Sequence, residues 1–400
     1  MMSVDDALSQ LLNGAAPLTE HETVATELAT GRILARDLIS PHNVPPHDNS
    51  AMDGYAIRLA DLAGGAPLRV SQRIPAGHTG EPLQPGCAAR IFTGAPIPPG
   101  CDAVVMQELA TVEGEMVRFD TPPRSGQNIR RSGEDIRAGS AILHAGSRLK
   151  PQDLGLAASV GIASMAVVRR LKVAVFFTGD ELVMPGNDLG PSQIYNSNRY
   201  VLRGLLDSLG CDVTDLGIVR DDLAATRAAL RTAADAHDLV LTCGGVSVGE
   251  EDHVKAAVEA EGALELWKIA MKPGKPLAFG RVAQTPFVGL PGNPVSSFIT
   301  FLLFVRPFIL QRQGADATAA PAMPVTAGFD WIKPDKRREF LRVQLTPTAG
   351  GGLEASLFPN QGSGVLTSCS WADGLIDVAP GRAIARGDTI PFLSYASLLG

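Results

Sequence analysis

Residues 171 to 312 alternate short apolar segments with amphipathic helical segments, and this alternation constrains the fold more than any other feature. Strands that alternate with helices are typical of a doubly wound, mostly parallel α/β sheet. In such a sheet, ligands bind outside the carboxyl ends of the strands. The periodicity predicts strands at 172–177, 211–219, 238–245, 263–271, 276–282 and 286–290.

Helix caps can be assigned within the same region. Ser197 or Asn198 is expected to cap the first helix and Asp221 or Asp222 the second. A long apolar helix should open at Asn293-Pro294, because Pro suits the first helical position.

The flanking regions have different patterns. Residues 41–136 are rich in Pro and Gly and predict a β-rich domain, and residues 320–400 predict a small β-barrel or sandwich. At the N-terminus, apolar residues at helical spacing predict a helix over 4–12 with Ser3 as its cap. Thr19 and Glu22 fit a capping box for a second helix, and residues 32–40 resemble a strand.

Charge and cysteine content exclude several protein classes. The chain has 35 Lys and Arg against 42 Asp and Glu, a net charge of −7, which argues against a general nucleic-acid or anionic-membrane binder. The 5 cysteines are an odd number without a CxxC motif, so neither a disulfide framework nor a zinc site is expected. The start lacks a basic signal-peptide region, and the apolar run 298–305 is too short to span a bilayer. We expect a cytoplasmic protein.

Four loops at the predicted strand ends suggest a ligand site. They are 178–181 (TGDE), 244–252 (GGVSVGEED), 272–276 (KPGKP) and 290–297 (LPGNPVSS). Glycine-rich turns let backbone N–H groups approach an anion, and Lys272 and Lys275 could clamp phosphate or an oxyanion. Glu181, Asp221 and Asp252 would repel that anion unless Mg²⁺ lies between them. Together the loops predict a phosphorylated ligand with a divalent metal.

Each loop also has a purely structural explanation. Asp221 could be only a helix cap, Gly244-Gly245 only a turn, and KPGKP a solvated hairpin. In the β-rich region, residues 48–55, 93–96 and 124–135 form either charged surface loops or a second wall of the anion site. In the second case Arg130 or Arg131 would bind phosphate. No histidine has metal spacing, and Cys243 is expected to be a core residue, not a nucleophile.

Taken together, the motifs identify a family. DNSAMDGYAIR, RIFTGAPIPPGCDAVVMQE, RSGQNIRRSGEDI, TGDEL, YNSNR, CGGVSVGEEDHV, WKIAMKPGKPLAFG and GLPGNPVSS resemble, in one consistent order, the MoeA-type molybdopterin molybdenumtransferases, which include the gephyrin E domain. The resemblance implies insertion of molybdate into adenylylated molybdopterin, with Mg²⁺-dependent release of AMP and molybdenum cofactor. It also implies a homodimer whose two subunits build the active-site cleft.

The resemblance also implies an architecture. It comprises a discontinuous N-terminal and linker domain (1–41 plus 137–170), a β-rich inserted domain (42–136), a molybdopterin-binding α/β domain (171–316) and a C-terminal β-barrel domain (320–400). Such a fold is a multidomain α/β protein built around a central doubly wound, mostly parallel domain.

Site residues follow by matching motifs. The implied catalytic residues are Asp53, Thr93, Asp135, Glu181, Asp221 and Asp252, with Glu181, Asp221 and Asp252 near Mg²⁺ and the three residues of the insert acting from the other subunit. The implied substrate-binding residues are Lys268, Lys272, Lys275, Gly244, Gly245, Ser247, Pro291, Pro294, Ser296, Arg342 and Ser363.

Two alternatives stay open at this point. The related molybdopterin adenylyltransferases share the α/β fold, but they are shorter and usually have GGTG where this chain has Gly244-Gly245-Val246-Ser247. A non-catalytic cofactor-binding scaffold is the other, although the retained carboxylates and lysines argue against it. The resemblance implies a separate adenylyltransferase upstream and molybdoenzymes or their chaperones downstream, and neither nucleic acid nor membrane as a partner.

Overall fold

The N-terminal segment of the computed structural model, which describes residues 1–245 and 253–399, contains one helix and two short strands. They are α1 (Val4–Asn13), β1 (His21–Ala25) and β2 (Leu38–Ile39). Ser3 Oγ accepts a hydrogen bond from the Asp6 backbone N–H at 3.0 Å, which confirms the predicted helix and its cap.

Two expectations for this segment are wrong. The helix after Thr19 is instead strand β1, because residues 21–25 pair antiparallel with residues 164–168 and tertiary pairing overrides local propensity. Only Leu38–Ile39 of the predicted strand 32–40 is a strand, while Ile33 and Leu34 form isolated bridges.

The next region is β-rich, as predicted, with two short 3-10 helices at Leu59–Leu62 and Gln107–Leu109. Its strands are β3 (Asn49–Ser50), β4 (Gly54–Ile57), β5 (Leu68–Ile74), β6 (Cys87–Ile91), β7 (Ala103–Met106), β8 (Ala110–Glu113), β9 (Met116–Phe119) and β10 (Ile129–Arg130). Six of them form one sheet in the order β7-β4-β6-β5-β9-β8.

After the β-rich region the chain returns to its N-terminal strands. β11 (Ala141–Leu143), α2 (Pro151–Ser159) and β12 (Ser164–Val168) follow. β11 pairs with β2 and β12 pairs with β1. Strands on either side of residues 42–136 are therefore partners. The exact four-domain division stays a prediction.

The α/β region contains a six-stranded sheet with helices packed around it. Its elements are β13 (Lys172–Thr178), β14 (Leu182–Val183), β15 (Ile194–Tyr195), α3 (Ser197–Ser208), β16 (Asp212–Val219), α4 (Leu223–Ala236), β17 (Leu239–Cys243), α5 (His253–Glu261), β18 (Gly262–Lys268), β19 (Met271–Lys272), β20 (Pro276–Val282), β21 (Thr285–Leu290) and α6 (Pro294–Arg312).

The sheet order β16-β13-β17-β21-β20-β18 confirms the doubly wound fold. β16, β13, β17 and β21 are parallel, whereas β20 and β18 add an antiparallel edge. Asp222, one of the two predicted residues, caps α4, whereas α3 is capped by Asn196 and not by Ser197 or Asn198.

The C-terminal region is a closed barrel. It contains β22 (Ala322–Ala327), β23 (Arg338–Pro347), β24 (Leu353–Leu357), α7 (Thr367–Trp371), β25 (Gly374–Val378), β26 (Thr389–Ser394) and α8 (Tyr395–Leu399). The order β23-β24-β22-β26-β25 closes because β25 also pairs with β23. Of the two expected architectures, the barrel is confirmed.

Helix α6 joins the regions through a shared core. Its apolar residues pack in one cluster with α1, α3 and residues of the barrel, including Phe340 and Leu375. The helix is long and apolar enough to cross a membrane by composition, but 78% of its most apolar window is buried inside the protein. It is therefore the central core helix of this fold.

Candidate active site

A cavity of about 720 Å³ lies where β13, β17 and β21 end, at the carboxyl edge of the parallel strands. Strand ends and the loops after them form its walls, as expected for an open α/β sheet. We call it the sheet-edge cavity. Its lining residues are Phe177, Thr178, Gly179, Glu181, Leu182, Ile194, Tyr195, Asn196, Ser197, Asn198, Asp221, Cys243, Gly244, Gly245, Pro276, Pro291, Gly292, Asn293, Pro294, Ser296 and Gly364.

The structure brings seven of the sequence-predicted site residues to this one cavity. They are Glu181, Asp221, Gly244, Gly245, Pro291, Pro294 and Ser296. Ser247 and Asp252 lie outside the described residues. Loops separated by more than 100 residues in sequence thus meet at one edge of the sheet.

Glycines allow the cavity wall to pack tightly against β13. Gly244 has φ +97, and a Cβ there would lie 2.6 Å from the Thr178 carbonyl oxygen. Gly245 has φ +63, and its Cβ would lie 2.5 Å from Val254 Cγ2. Neither position accepts a side chain without strain. The Gly244-Gly245 turn therefore lines the cavity with backbone atoms and no side chains.

Asp221 and Asp222 have separate roles. Asp222 Oδ1 accepts a hydrogen bond from the Ala225 backbone N–H at 2.8 Å, so Asp222 is the cap of α4. Asp221 is half-buried and lines the cavity. The structural explanation for Asp221 as a cap is therefore wrong.

The charged side chains in the described cavity wall are all carboxylates: Glu181 and Asp221. No group of three His, Cys, Asp or Glu side chains within residues 1–245 and 253–399 is placed to hold a metal. Mg²⁺, however, is commonly bound by one or two carboxylates together with substrate phosphates. Glu181 and Asp221 fit that requirement.

The first turn of α3 also lines the cavity, although none of its residues is among the predicted site residues. Asn196 is 2% exposed, and Asn198 Nδ2 donates to the Gly292 carbonyl oxygen at 2.7 Å and to Cys243 Sγ at 3.1 Å. The YNSNR motif was the available signal, but of its two asparagines only Asn198 was predicted to have a role, as a possible helix cap.

Cys243 ends β17 in the cavity wall. Burial raises the pKa of its thiol to about 11, partly offset by hydrogen bonds with Ser297 and Asn198. Its Sγ also donates to the Pro291 carbonyl oxygen at 3.2 Å. The thiol therefore stays protonated at neutral pH, in agreement with its interpretation as a core residue.

The three predicted lysines do not line the cavity. Lys272 Nζ lies 3.1 Å from Glu339 Oε1 of the barrel, and this carboxylate is only 1% exposed. Lys268 and Lys275 are exposed and have no ion pair with any residue that the structure describes. Lys275 precedes Pro276, which does line the cavity, so its side chain starts at the cavity rim.

Ser363 lies in the barrel loop that contains Gly362 and Gly364, and Arg342 packs beneath this loop. Arg342 is fully buried, and its Nη2 donates to the Gly362 carbonyl oxygen at 3.2 Å. Burial lowers the pKa of the Arg342 guanidinium. The Ser363 carbonyl oxygen accepts from the Val295 N–H at 3.0 Å, and the adjacent Gly364 lines the cavity. Arg342 thus holds a wall segment from behind.

The predicted residues of the β-rich region lie away from the cavity wall. Asp53 Oδ1 accepts hydrogen bonds from the backbone N–H and the hydroxyl of Thr93, both at 2.8 Å, and these bonds lower the pKa of Asp53. Asp135 is exposed. Arg131 pairs with Asp48 at 2.6 Å. Asp53 and Thr93 are brought together, but this chain's own cavity is not lined by either.

Comparison with known proteins identifies the family. Family models match residues 2–161 (MoeA N-terminal region, domain I and II), 174–311 (probable molybdopterin binding domain) and 324–395 (MoeA C-terminal region, domain IV). A molybdopterin molybdenumtransferase of Haemophilus influenzae is 41% identical over 100% of both chains. Molybdopterin molybdenumtransferase 2 of Mycobacterium tuberculosis is 38% identical over 93% of both.

Solved structures agree in fold. A molybdopterin biosynthesis MoeA protein from Pyrococcus horikoshii superposes with a TM-score of 0.85, at 28% identity, over 99% of this chain and 100% of that chain. A second structure from that organism gives a TM-score of 0.79 at 31% identity, over 99% of both chains. The chain belongs to the molybdopterin molybdenumtransferase family, a family of transferases in molybdenum cofactor biosynthesis.

Proposed function

We propose that this chain inserts molybdenum from molybdate into adenylylated molybdopterin and releases AMP and molybdenum cofactor in a Mg²⁺-dependent reaction. One observation carries the proposal: seven predicted site residues from separate loops converge on the sheet-edge cavity. A cavity of about 720 Å³ is within the range that accommodates a cofactor-sized ligand.

Glu181 and Asp221 are the proposed Mg²⁺ ligands, with Asp252 as the third carboxylate that the family resemblance implies. When bound, Mg²⁺ would neutralise phosphate charge during cleavage of the adenylyl–phosphate bond. The carboxylates themselves would orient the attacking water. Gly179 supports the position of Glu181, because a Cβ at Gly179 would lie 2.5 Å from Glu181 Oε2.

Backbone and barrel residues are proposed to hold the anionic parts of the substrates. The Gly244-Gly245 turn presents backbone without side chains. Lys268, Lys272 and Lys275 would neutralise the charge of phosphate and molybdate. Lys272 would do so from an ion pair with Glu339 that is already formed. Ser247, Pro291, Pro294, Ser296 and Ser363 would shape the surface that holds these anions, and Arg342 would support it from the Gly362 side.

The insert is proposed to act across a homodimer. Asp53, Thr93 and Asp135 do not line this chain's own cavity. The half-buried Asp53 and the exposed Thr93 would therefore complete the cleft of a second subunit. We further propose a cytoplasmic location, an adenylyltransferase that supplies the substrate, and molybdoenzymes or their chaperones that receive the product, without nucleic-acid or membrane partners.

The test is a discharge assay. Purified protein is mixed with adenylylated molybdopterin and Mg²⁺, with and without molybdate, and AMP is measured over time. We expect AMP release that depends on molybdate. Tight binding without AMP release would instead support a scaffold, and ATP consumption would support an adenylyltransferase. Absence of binding would overturn the substrate assignment.

A further inference from the structure

Asn196 carries a buried amide group that the proposed function does not use. Its Oδ1 accepts a hydrogen bond from the Arg199 backbone N–H at 3.2 Å, which caps α3. Because an N–H group must face an oxygen, this bond fixes the orientation of the amide and directs Nδ2 elsewhere. Asn196 is 2% exposed and lines the cavity, and its Nδ2 has no hydrogen-bond partner in the described part of the chain.

Asn198 connects the same helical turn to the end of β17 and to the loop after β21. Its Nδ2 donates to the Gly292 carbonyl oxygen at 2.7 Å and to Cys243 Sγ at 3.1 Å. These contacts fix its amide, and the buried Oδ1 is left without a partner among residues 1–245 and 253–399. The first turn of α3 therefore presents one unused donor and one unused acceptor, both held rigidly.

The helix itself adds to this arrangement. α3 has 12 residues, and its first-turn N–H groups have no acceptor within the helix. Its N-terminus carries partial positive charge, which favours an anion. The charged side chains of the described cavity wall are the carboxylates Glu181 and Asp221. Neutral donors at α3 would thus bind an anion in a cavity wall that holds no cationic side chain among the described residues.

We propose that the first turn of α3 is a phosphate subsite of the cavity. The Asn196 Nδ2 group and the backbone N–H groups of Ser197 and Asn198 donate to oxygens of a phosphoester. Asn198 Oδ1 accepts from an O–H or N–H group of the same ligand. This inference rests on the proposed function, because it assigns the phosphate that AMP shares with the adenylylated substrate.

The test compares AMP with adenosine, which lacks the phosphate, by calorimetry in the presence of Mg²⁺. Asn196→Ser and Asn196→Asp each keep an oxygen that can cap α3 and remove the Nδ2 donor. Asn187→Ser is the matched control: this exposed residue lies outside the cavity wall and its Nδ2 donates only to the Met184 carbonyl oxygen. We expect Asn196→Ser to weaken AMP binding about tenfold to 100-fold, and Asn196→Asp more, with adenosine binding unchanged.

Three outcomes would overturn the subsite: wild-type affinity for AMP in Asn196→Ser, equal loss of AMP and adenosine binding, or no AMP binding by the wild type. If the variants unfold, nuclear magnetic resonance of asparagine-labelled wild-type protein decides instead. The Asn196 side-chain N–H signals should shift with AMP and not with adenosine, and unchanged signals would overturn the subsite. Loss of AMP affinity without any molybdate-dependent AMP release by the wild type would refute the proposed function and leave the subsite standing.

Discussion

The sheet-edge cavity and the contact between the KPGKP loop and the barrel both contain charged residues that the sequence predicts as part of the site, but these residues have different partners in the two regions. In the cavity wall, the charged side chains are the exposed Glu181 and the half-buried Asp221. At the barrel contact, Lys272 is already paired with the buried Glu339 at 3.1 Å, and Arg342 is fully buried. The acidic groups lie where a ligand can reach them, whereas two of the predicted cations also support the structure.

This difference has a physical basis. Glu181 is exposed at the cavity, so its carboxylate can keep its hydration. A buried charge must be hydrogen-bonded or paired, and Arg342 satisfies this by donating to Ser368 Oγ and to the carbonyl oxygens of Phe340 and Gly362. The comparison therefore separates residues expected to affect turnover from residues expected to affect stability.

The largest effect is expected at Asp221. Asp221→Asn should lower the rate of molybdate-dependent AMP release about 100-fold or more, because one of the two described carboxylates proposed to bind Mg²⁺ loses its charge. Asp222→Asn is the control, since Asn caps a helix as well as Asp does. Steady-state kinetics with circular dichroism measure both. Similar rates for the two variants would contradict the division of roles between them.

A second prediction concerns the thiol in the cavity wall. Raising the pKa of Cys243 from 9.0 to about 11 lowers its thiolate fraction at neutral pH about 100-fold. Because the thiolate is the reactive form, iodoacetamide should leave Cys243 unmodified near pH 7, and alkylation should rise as the pH approaches 11. Peptide mass spectrometry of native and denatured protein measures this. Rapid native modification at pH 7 would show that the thiol is accessible and ionised.

The smallest effect is expected at the barrel contact. Lys272→Met should lower the free energy of unfolding by about 1–3 kcal/mol, because Glu339 is left as a buried carboxylate without its cation. Lys275→Met is the matched control and should change stability by less than about 0.5 kcal/mol, since Lys275 is exposed. Urea unfolding compares the two. Equal stability of both variants would mean that the ion pair contributes nothing.

Pattern and spacing predicted much of the fold correctly. Periodicity located β13 and β17, because a parallel strand that is buried on both faces is apolar along its length. It also located the partly exposed edge strand β16 and the helices between these strands. The same reasoning failed at residues 21–25, where a capping-box pattern favoured a helix. The pairing with residues 164–168 lies more than 100 residues away in sequence, and no local pattern reports it.

For the candidate site too, some features could be predicted from the sequence and others could not. Sequence alone determined the residue types: the carboxylates, the glycine turns, the lysines and their order along the chain, which together identify the family. Only the tertiary structure decided which of two adjacent aspartates faces the cavity, that Lys272 is paired with Glu339, and that Asn196 keeps a free amide donor. These contacts depend on which side of a strand end or helix turn packs against the rest of the protein and which side faces the cavity. That orientation is set by packing between distant segments and cannot be obtained from the local sequence.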